Sequence, residues 1–224
     1  MGLIECRNVS KSFGEKVALD NVSVDIPKGK IFGLLGPNGA GKTTTIKMLS
    51  CLTEPTDGDA VVGGYSIRTH PEQVKRLIGV SPQETAVAPN LTVKENLEMI
   101  CGIHGFSKEK TAVKIQELSW QFTLDNLLHK RAGKLSGGWQ RRVSIAMAMI
   151  SEPQILFLDE PTLGLDVLAR HALWDEIRAL KGKITIILTT HYMEEAEALS
   201  DRIGIMRDGK ILMVGTADEL NQMA

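Results

Sequence analysis

This 224-residue chain is poor in cysteine, in net charge and in long apolar runs, and each shortage removes a class of protein. Cys6, Cys51 and Cys101 are far apart and in no Cys-x-x-Cys pair, so neither a disulfide framework nor a zinc site is expected. A formal charge of −1 leaves no basic footprint for nucleic acid or for anionic lipid held by general electrostatics. No apolar run approaches the length of a membrane span. The opening Met1-Gly2-Leu3-Ile4-Glu5-Cys6 has neither the basic start nor the apolar core of a signal peptide, and Cys6 stands where a myristoylation signal needs Ser or Thr. Repeats, linkers and low-complexity segments are missing too. One domain over 1–224 is therefore expected, in the cytosol, serving any membrane through a partner.

With 43% apolar and 24% charged residues, the chain can bury a sizeable core. Its first third reads as short strands over 3–9, 22–26, 31–35 and 60–63. The run Ile31-Phe32-Gly33-Leu34-Leu35 contains no polar side chain, which suits a strand buried on both faces of a parallel sheet. From about 91 to 134 the texture turns helical, with Thr92-Val93-Lys94-Glu95 a capping box and Ser107 the cap of a helix towards Phe122. This stretch reads as an inserted helical subdomain. Beyond Ser136 the pattern alternates: helix to Ile150, strand 155–158, helix 167–180, strand 184–189, helix 193–199, then a hairpin turning at Asp208-Gly209. The sum predicts an α/β fold.

Gly36-Pro37-Asn38-Gly39-Ala40-Gly41-Lys42-Thr43 fits the pattern G-x-x-x-x-G-K-[ST] in full, after a predicted strand and before a predicted helix over 43–52. The glycines let backbone N–H groups turn inward, and the helix start adds the positive end of its dipole. A triphosphate is the natural guest. Lys42 reaches its β- and γ-phosphates, Thr43 offers a hydroxyl to Mg²⁺, and Thr44 adds a phosphate contact. The loop alone suits an ATPase, a GTPase, a kinase or a carrier.

Ile155-Leu156-Phe157-Leu158-Asp159-Glu160 is an apolar strand ending in two acids. Neighbours on a strand point to opposite faces, so Asp159 is expected on Mg²⁺, directly or through water, and Glu160 as general base for an attacking water. Leu135-Ser136-Gly137-Gly138 precedes a helical stretch, with Ser136 as its N-cap. Two glycines in a first turn weaken a helix by about 0.5–1 kcal/mol each, which makes sense where a phosphate must come close.

With these motifs in this order, the chain resembles the nucleotide-binding domain of ABC transporters over essentially its whole length. The resemblance implies a P-loop NTPase core with a mainly parallel sheet, an N-terminal antiparallel β-subdomain and an α-helical subdomain inserted at about 84–140. It implies ATP and Mg²⁺ as ligands, ATP hydrolysis, and nucleotide contacts from Gly36, Pro37, Asn38, Gly39, Ala40, Gly41, Lys42, Thr43 and Thr44. Ser136, Gly137 and Gly138 then bind the γ-phosphate held by a second such domain. By the same resemblance Gln83, in Ser81-Pro82-Gln83-Glu84, contacts Mg²⁺ and the attacking water, and His191 contacts the γ-phosphate and orients Glu160. Asp166, in Leu163-Gly164-Leu165-Asp166, lies in the loop that senses the partner domain. Phe13, in Lys11-Ser12-Phe13-Gly14, stands where the family often stacks a Tyr on adenine, keeping the ring and losing the hydroxyl.

Trp139 departs from the commonest family pattern, which has Gln after the two glycines. An apolar residue there followed by basic ones resembles the exporter branch that moves drugs, lipids or polysaccharides. Packing within the helical subdomain and a role at the nucleotide are both open to it. The implied partners are a membrane-spanning permease, docked around 83–96 at the cytoplasmic face, and a second nucleotide-binding domain, identical or not. No nucleic acid is expected. The alternative is an ABC-type ATPase driving a non-transport process, such as an envelope-remodelling regulator or a soluble nucleic-acid or ribosome-associated ATPase.

Overall fold

The computed structural model describes residues 2–222; residues 1, 223 and 224 of the expected 1–224 span lie outside the described residues. From the N-terminus come β1 (Ile4–Phe13), β2 (Lys16–Ile26), β3 (Ile31–Leu35), α1 (Lys42–Leu49), β4 (Asp57–Val62), β5 (Tyr65–Ser66), α2 (Pro71–Lys75) and β6 (Ile78–Ser81). Next are α3 (Val93–Ile103), α4 (Lys108–Gln121) and two 3-10 turns, Asp125–Leu127 and Ala132–Lys134. The last part holds α5 (Gly137–Met149), β7 (Ile155–Asp159), α6 (Val167–Leu180), β8 (Thr185–Thr190), α7 (Met193–Leu199), β9 (Arg202–Arg207), β10 (Lys210–Gly215) and α8 (Ala217–Asn221). Among the described residues no helix is long and apolar enough to cross a membrane.

The strands form the expected α/β arrangement of an antiparallel N-terminal sheet, β2-β1-β4-β5, beside a six-stranded sheet, β10-β9-β3-β8-β7-β6. In the larger sheet β9, β3, β8, β7 and β6 run parallel, and β10 turns back against β9. Parallel strands covered on both faces need apolar side chains on both. In β7, Ile155 and Phe157 enter one core while Leu156 and Leu158 enter the other. The first core joins the sheet to Ile46 and Met48 of α1 and to Ile4, Cys6 and Ala60 of the antiparallel sheet. The second is filled by Leu97 of α3, Leu118 of α4, Val143 of α5, Trp174 of α6 and Leu199 of α7. This parity matters for chemistry, because Asp159 follows Ile155 and Phe157 towards α1.

Signals carried by neighbouring residues are realised. Thr92 Oγ1 accepts from Glu95 N at 3.1 Å and Glu95 Oε2 accepts from Thr92 N at 2.7 Å, a complete capping box. Ser107 Oγ caps α4 by accepting from Lys110 N at 3.2 Å. Asp208 (φ 49°) and Gly209 (φ 76°) make the left-handed turn between β9 and β10.

Other elements differ from expectation. β1 and β2 outrun the expected 3–9 and 22–26, because their pairing passes register shifts near Val9 and Lys11 that interrupt the two-residue alternation. The helix expected over 43–52 stops at Leu49, shortly before Cys51 takes φ 58°. β6 is a strand only through its partner, pairing Ile78 with Ile155 and Val80 with Phe157. At Ser136 the backbone is that of an N-cap, but the hydroxyl makes no capping hydrogen bond; nearby, Gln140 Nε2 donates back to the Leu135 carbonyl at 3.0 Å.

Candidate active site

β3 delivers the chain to a loop fastened on both sides. Gly36 N donates to Thr190 O at 3.2 Å, and Gly209 N donates to Ala40 O at 2.9 Å. Gly39 and Gly41 take φ 83° and 105°, open to glycine without steric cost. Among the described residues no side chain caps α1 and no acid stands in its first turn, so its positive dipole end meets the loop uncompensated. Lys42 is nearly buried: Nζ donates to the carbonyls of Gly36 at 2.7 Å and Pro37 at 3.1 Å and lies 3.1 Å from Glu160 Oε1.

The strand parity brings Asp159 to α1, where its Oδ1 accepts from Thr43 Oγ1 at 3.2 Å and from Thr189 Oγ1 at 2.5 Å. Glu160 leaves the strand with φ 47°, and its N–H donates to Thr189 Oγ1 at 2.9 Å. The two acids are thus parted by the left-handed conformation of Glu160 itself, where strand alternation was expected to do it. That conformation costs a side-chain-bearing residue about 1–2 kcal/mol, so surrounding contacts must hold it. Lys42 holds one carboxylate oxygen, and His191 Nδ1 lies 2.8 Å from the other. His191 follows β8, its ring tilted against Tyr192 with centroids 3.9 Å apart.

Lys42, Glu160 and His191 line a cleft of about 400 Å³, and Asp159 lies behind Thr43 at its edge. Phe13, 53% exposed, forms part of its wall, with Lys11 Nζ 4.9 Å from the ring centroid. Asn38, Gly39, Gly41, Thr43, Thr44 and Gln83 line it as well, while Ala40 is buried. Lys16 and Ala18 also line it, brought there by β2 with no motif to mark them, as does Leu163, which opens the Leu163–Asp166 loop. Thr43 and Asp159 set two hard oxygen donors side by side, the donor chemistry that suits Mg²⁺ completed by phosphate and water. Among the described residues no group of three or more His, Cys, Asp or Glu could hold a metal.

Ser136, Gly137, Gly138 and Asp166 do not join this cleft. They stand at the starts of α5 and α6, with Ser136, Gly137 and Asp166 exposed. Asp166 caps α6, accepting from Ala169 N at 2.9 Å. A Cβ on Gly138 would lie 3.1 Å from Ala169 Cβ, so this glycine has a packing reason of its own, the close approach of two helix starts.

Trp139 packs against the helical core, and Arg142 places Cζ 4.3 Å from its ring centroid while pairing with Glu176 at 3.0 Å. Burial raises the Glu176 carboxyl to about 7, against the pull of Arg142. The folded chain therefore binds this proton more tightly than the unfolded chain, whose ordinary value is 4.5. The resulting stability is fully present below pH 4.5 and lost as the pH rises through about 7. Between pH 5 and 8 the wild type is expected to lose about 1–2 kcal/mol more than Glu176→Gln, after discounting for partial exposure. Thermal unfolding at the two pH values checks this, a difference of a few degrees in Tm; parallel slopes would reject it.

One contact has no counterpart in the motifs. Arg141, 4% exposed, donates from α5 to the backbone carbonyls of Pro82 and Gln83.

Residues 19–163 match the family model described as ABC transporter. The chain is 44% identical over 219 residues to the doxorubicin resistance ATP-binding protein DrrA of Mycobacterium tuberculosis (strain H37Rv), covering 96% of this chain and 66% of that protein. It is 41% identical to Nod factor export ATP-binding protein I of Burkholderia lata, over 97% of this chain and 72% of that one. Among solved structures, a dimeric post-hydrolysis state of the ATP-binding cassette MJ0796 bound to ADP and Pi superposes with TM-score 0.85 at 27% identity, covering 96% of this chain and 98% of that one. The chain thus spans about two thirds of the length of the curated relatives it matches. The match runs from β2 to the turn after Glu160 and takes in the phosphate loop, Gln83, the Ser136–Gly138 turn and the acid pair: the chain belongs to the ABC transporter family.

Proposed function

We propose that this chain hydrolyses ATP between two cassettes and thereby powers a membrane exporter. The observation that carries the reading is Glu160, held at the cleft between Lys42 at 3.1 Å and His191 at 2.8 Å, beside Asp159 on Thr43. Phe13 stacks on adenine, and the loop over 36–44 with Lys42 receives the phosphates. Thr43 and Asp159, with Gln83 from the same cleft, would hold Mg²⁺, which when bound would supply neutralisation of phosphate charge. Glu160 accepts the proton of the water whose oxygen attacks the γ-phosphorus, and His191 fixes the carboxylate's orientation and meets the γ-phosphate. ADP and phosphate are the products.

Ser136, Gly137 and Gly138 lie outside their own chain's cleft, and a face-to-face pair with Asp166 at its interface would bring them to the cleft of the other chain and complete each site. The structure of a relative described as a dimer bound to ADP and Pi supports this arrangement. The segment over about 84–140 moves as an inserted unit on closure, and 83–96 docks a permease at the cytoplasmic face. Export is favoured by what the relatives' names carry, drug resistance and Nod factor export.

Two variants test the pairing. Lys42→Ala is expected to lose the ATP-dependent rise in Tm, which at a hundredfold excess over Kd is about 2.7 kcal/mol, or about 5–10 °C at this size. Ser136→Arg is expected to keep that rise and to lose both the ATP-dependent dimer on a sizing column and phosphate release. Hydrolysis surviving in Ser136→Arg would sink the two-chain site.

A further inference from the structure

Arg141 lies five positions past Ser136 on the helix that begins at Gly137, yet it points away from that helix start and into the protein. Its guanidinium grips two successive carbonyls, Pro82 and Gln83, in the loop that brings Gln83 to the cleft. Burial pulls this arginine below its ordinary pKa, with the Asp159 and Glu195 carboxylates opposing. Arginine stays charged under such a pull, and a buried charge spent on backbone carbonyls needs a reason.

The contact is one end of a seam. One turn on, Ser144 Oγ lies 2.9 Å from Ser81 Oγ. A turn further, a Cβ on Gly79 would stand 2.2 Å from the Ala148 carbonyl, so α5 and β6 touch backbone to backbone. Positions 141, 144 and 148 share a helix face, and they meet residues 82–83, 81 and 79 in reverse order. The seam links two features that stand apart on the surface, the exposed Ser136–Gly138 turn at one end of α5 and Gln83 in the cleft.

A planar fork with donors on adjacent carbonyls fixes both the place and the tilt of a loop, which a lysine's point charge does not. The geometry points to Arg141 as a positioning residue that locks the Gln83 loop to α5, so that docking at Ser136–Gly138 sets Gln83 in the cleft of the same chain. This rests on the ATPase reading above. Arg141 touches neither phosphate nor metal and acts through Gln83.

A double-variant cycle on the full chain tests it, with phosphate release measured while ATP and Mg²⁺ are titrated separately for wild type, Arg141→Lys, Gln83→Ala and the pair. Arg141→Lys is expected to lower kcat about 10–100-fold, the scale of losing a partner that orients another group, and to raise the Mg²⁺ needed for half-maximal rate. It should leave the ATP-dependent rise in Tm unchanged, a split that general loosening of the fold does not produce. In the Gln83→Ala background the same change should cost less than about twofold, since both act through one contact. Losses that multiply in the pair would overturn the proposal, as would an unchanged Mg²⁺ requirement. Should Arg141→Lys fail to fold, Arg141→Gln, whose amide still reaches one carbonyl, takes its place in the same cycle. A wild type without ATP turnover, or Lys42→Ala with undiminished nucleotide binding, would instead overturn the ATPase reading itself.

Discussion

Glu160→Gln is expected to cut ATP turnover about 10²–10⁴-fold while nucleotide binding survives, the loss of a placed general base. That is about 3–5 kcal/mol of barrier. The amide keeps the length of the side chain and can still meet His191, but it has no basic oxygen to take up the proton of water. It also removes the negative partner of Lys42, which sits 3.1 Å from Glu160 Oε1 with both side chains nearly buried. A buried ammonium left without its carboxylate is costly, so phosphate oxygens become its best counter-charge. The ATP-dependent rise in Tm should therefore be larger in Glu160→Gln than in the wild type, even as phosphate release collapses. Opposite movement of the two readouts separates this outcome from general damage. Turnover within about threefold of wild type would place the base elsewhere.

Phe157→Ala is expected to cost about 3–5 kcal/mol of folding stability and to lower Tm by about 10 °C at this chain length. Phe157 is fully buried in β7, between Val80 of β6 and Ile187 of β8, and it fills the core beneath α1. Removing the ring leaves a void that parallel strands on both sides cannot close. Asp159 lies two residues on, over the same face, so the cavity opens under the residue that meets Thr43. Phe157→Leu keeps much of the volume and should lose about 1–1.5 kcal/mol. Urea or thermal unfolding of the pair checks the argument, and equal losses in the two variants would contradict it.

The features legible in the sequence are those whose cause lies within a few residues. The phosphate loop needs glycines at fixed spacing, the box at Thr92 and Glu95 closes within one turn, and the Asp208-Gly209 hairpin is a matter of two left-handed residues. The paired acids are legible as a pair, but what parts them is φ 47° at Glu160, a value set by Lys42 and His191 from distant parts of the chain. β6 offers four residues and one glycine, too little pattern to separate it from a loop without β7 beside it. Arg141 shows why helix patterning has limits: a charged residue between Gln140 and Arg142 reads as surface, and its two carbonyl partners are 58–59 positions away. The glycines after Ser136 read in the sequence as room for a phosphate, and for Gly138 the structure supplies a protein neighbour, Ala169.

On one chain the cleft and the Ser136–Gly138 turn are separate places, and in the proposed pair each interface draws its phosphate loop from one chain and its glycines from the other. Damage then belongs to interfaces and not to genes. When an allele hit at Lys42 meets an allele hit at Ser136, one interface of the mixed pair collects both lesions and the other is untouched. For a pair made of two copies of this chain in which one intact site suffices, two alleles that are each null when expressed alone are expected to complement each other, which coexpression checks and a mutational map scored one allele at a time does not reveal.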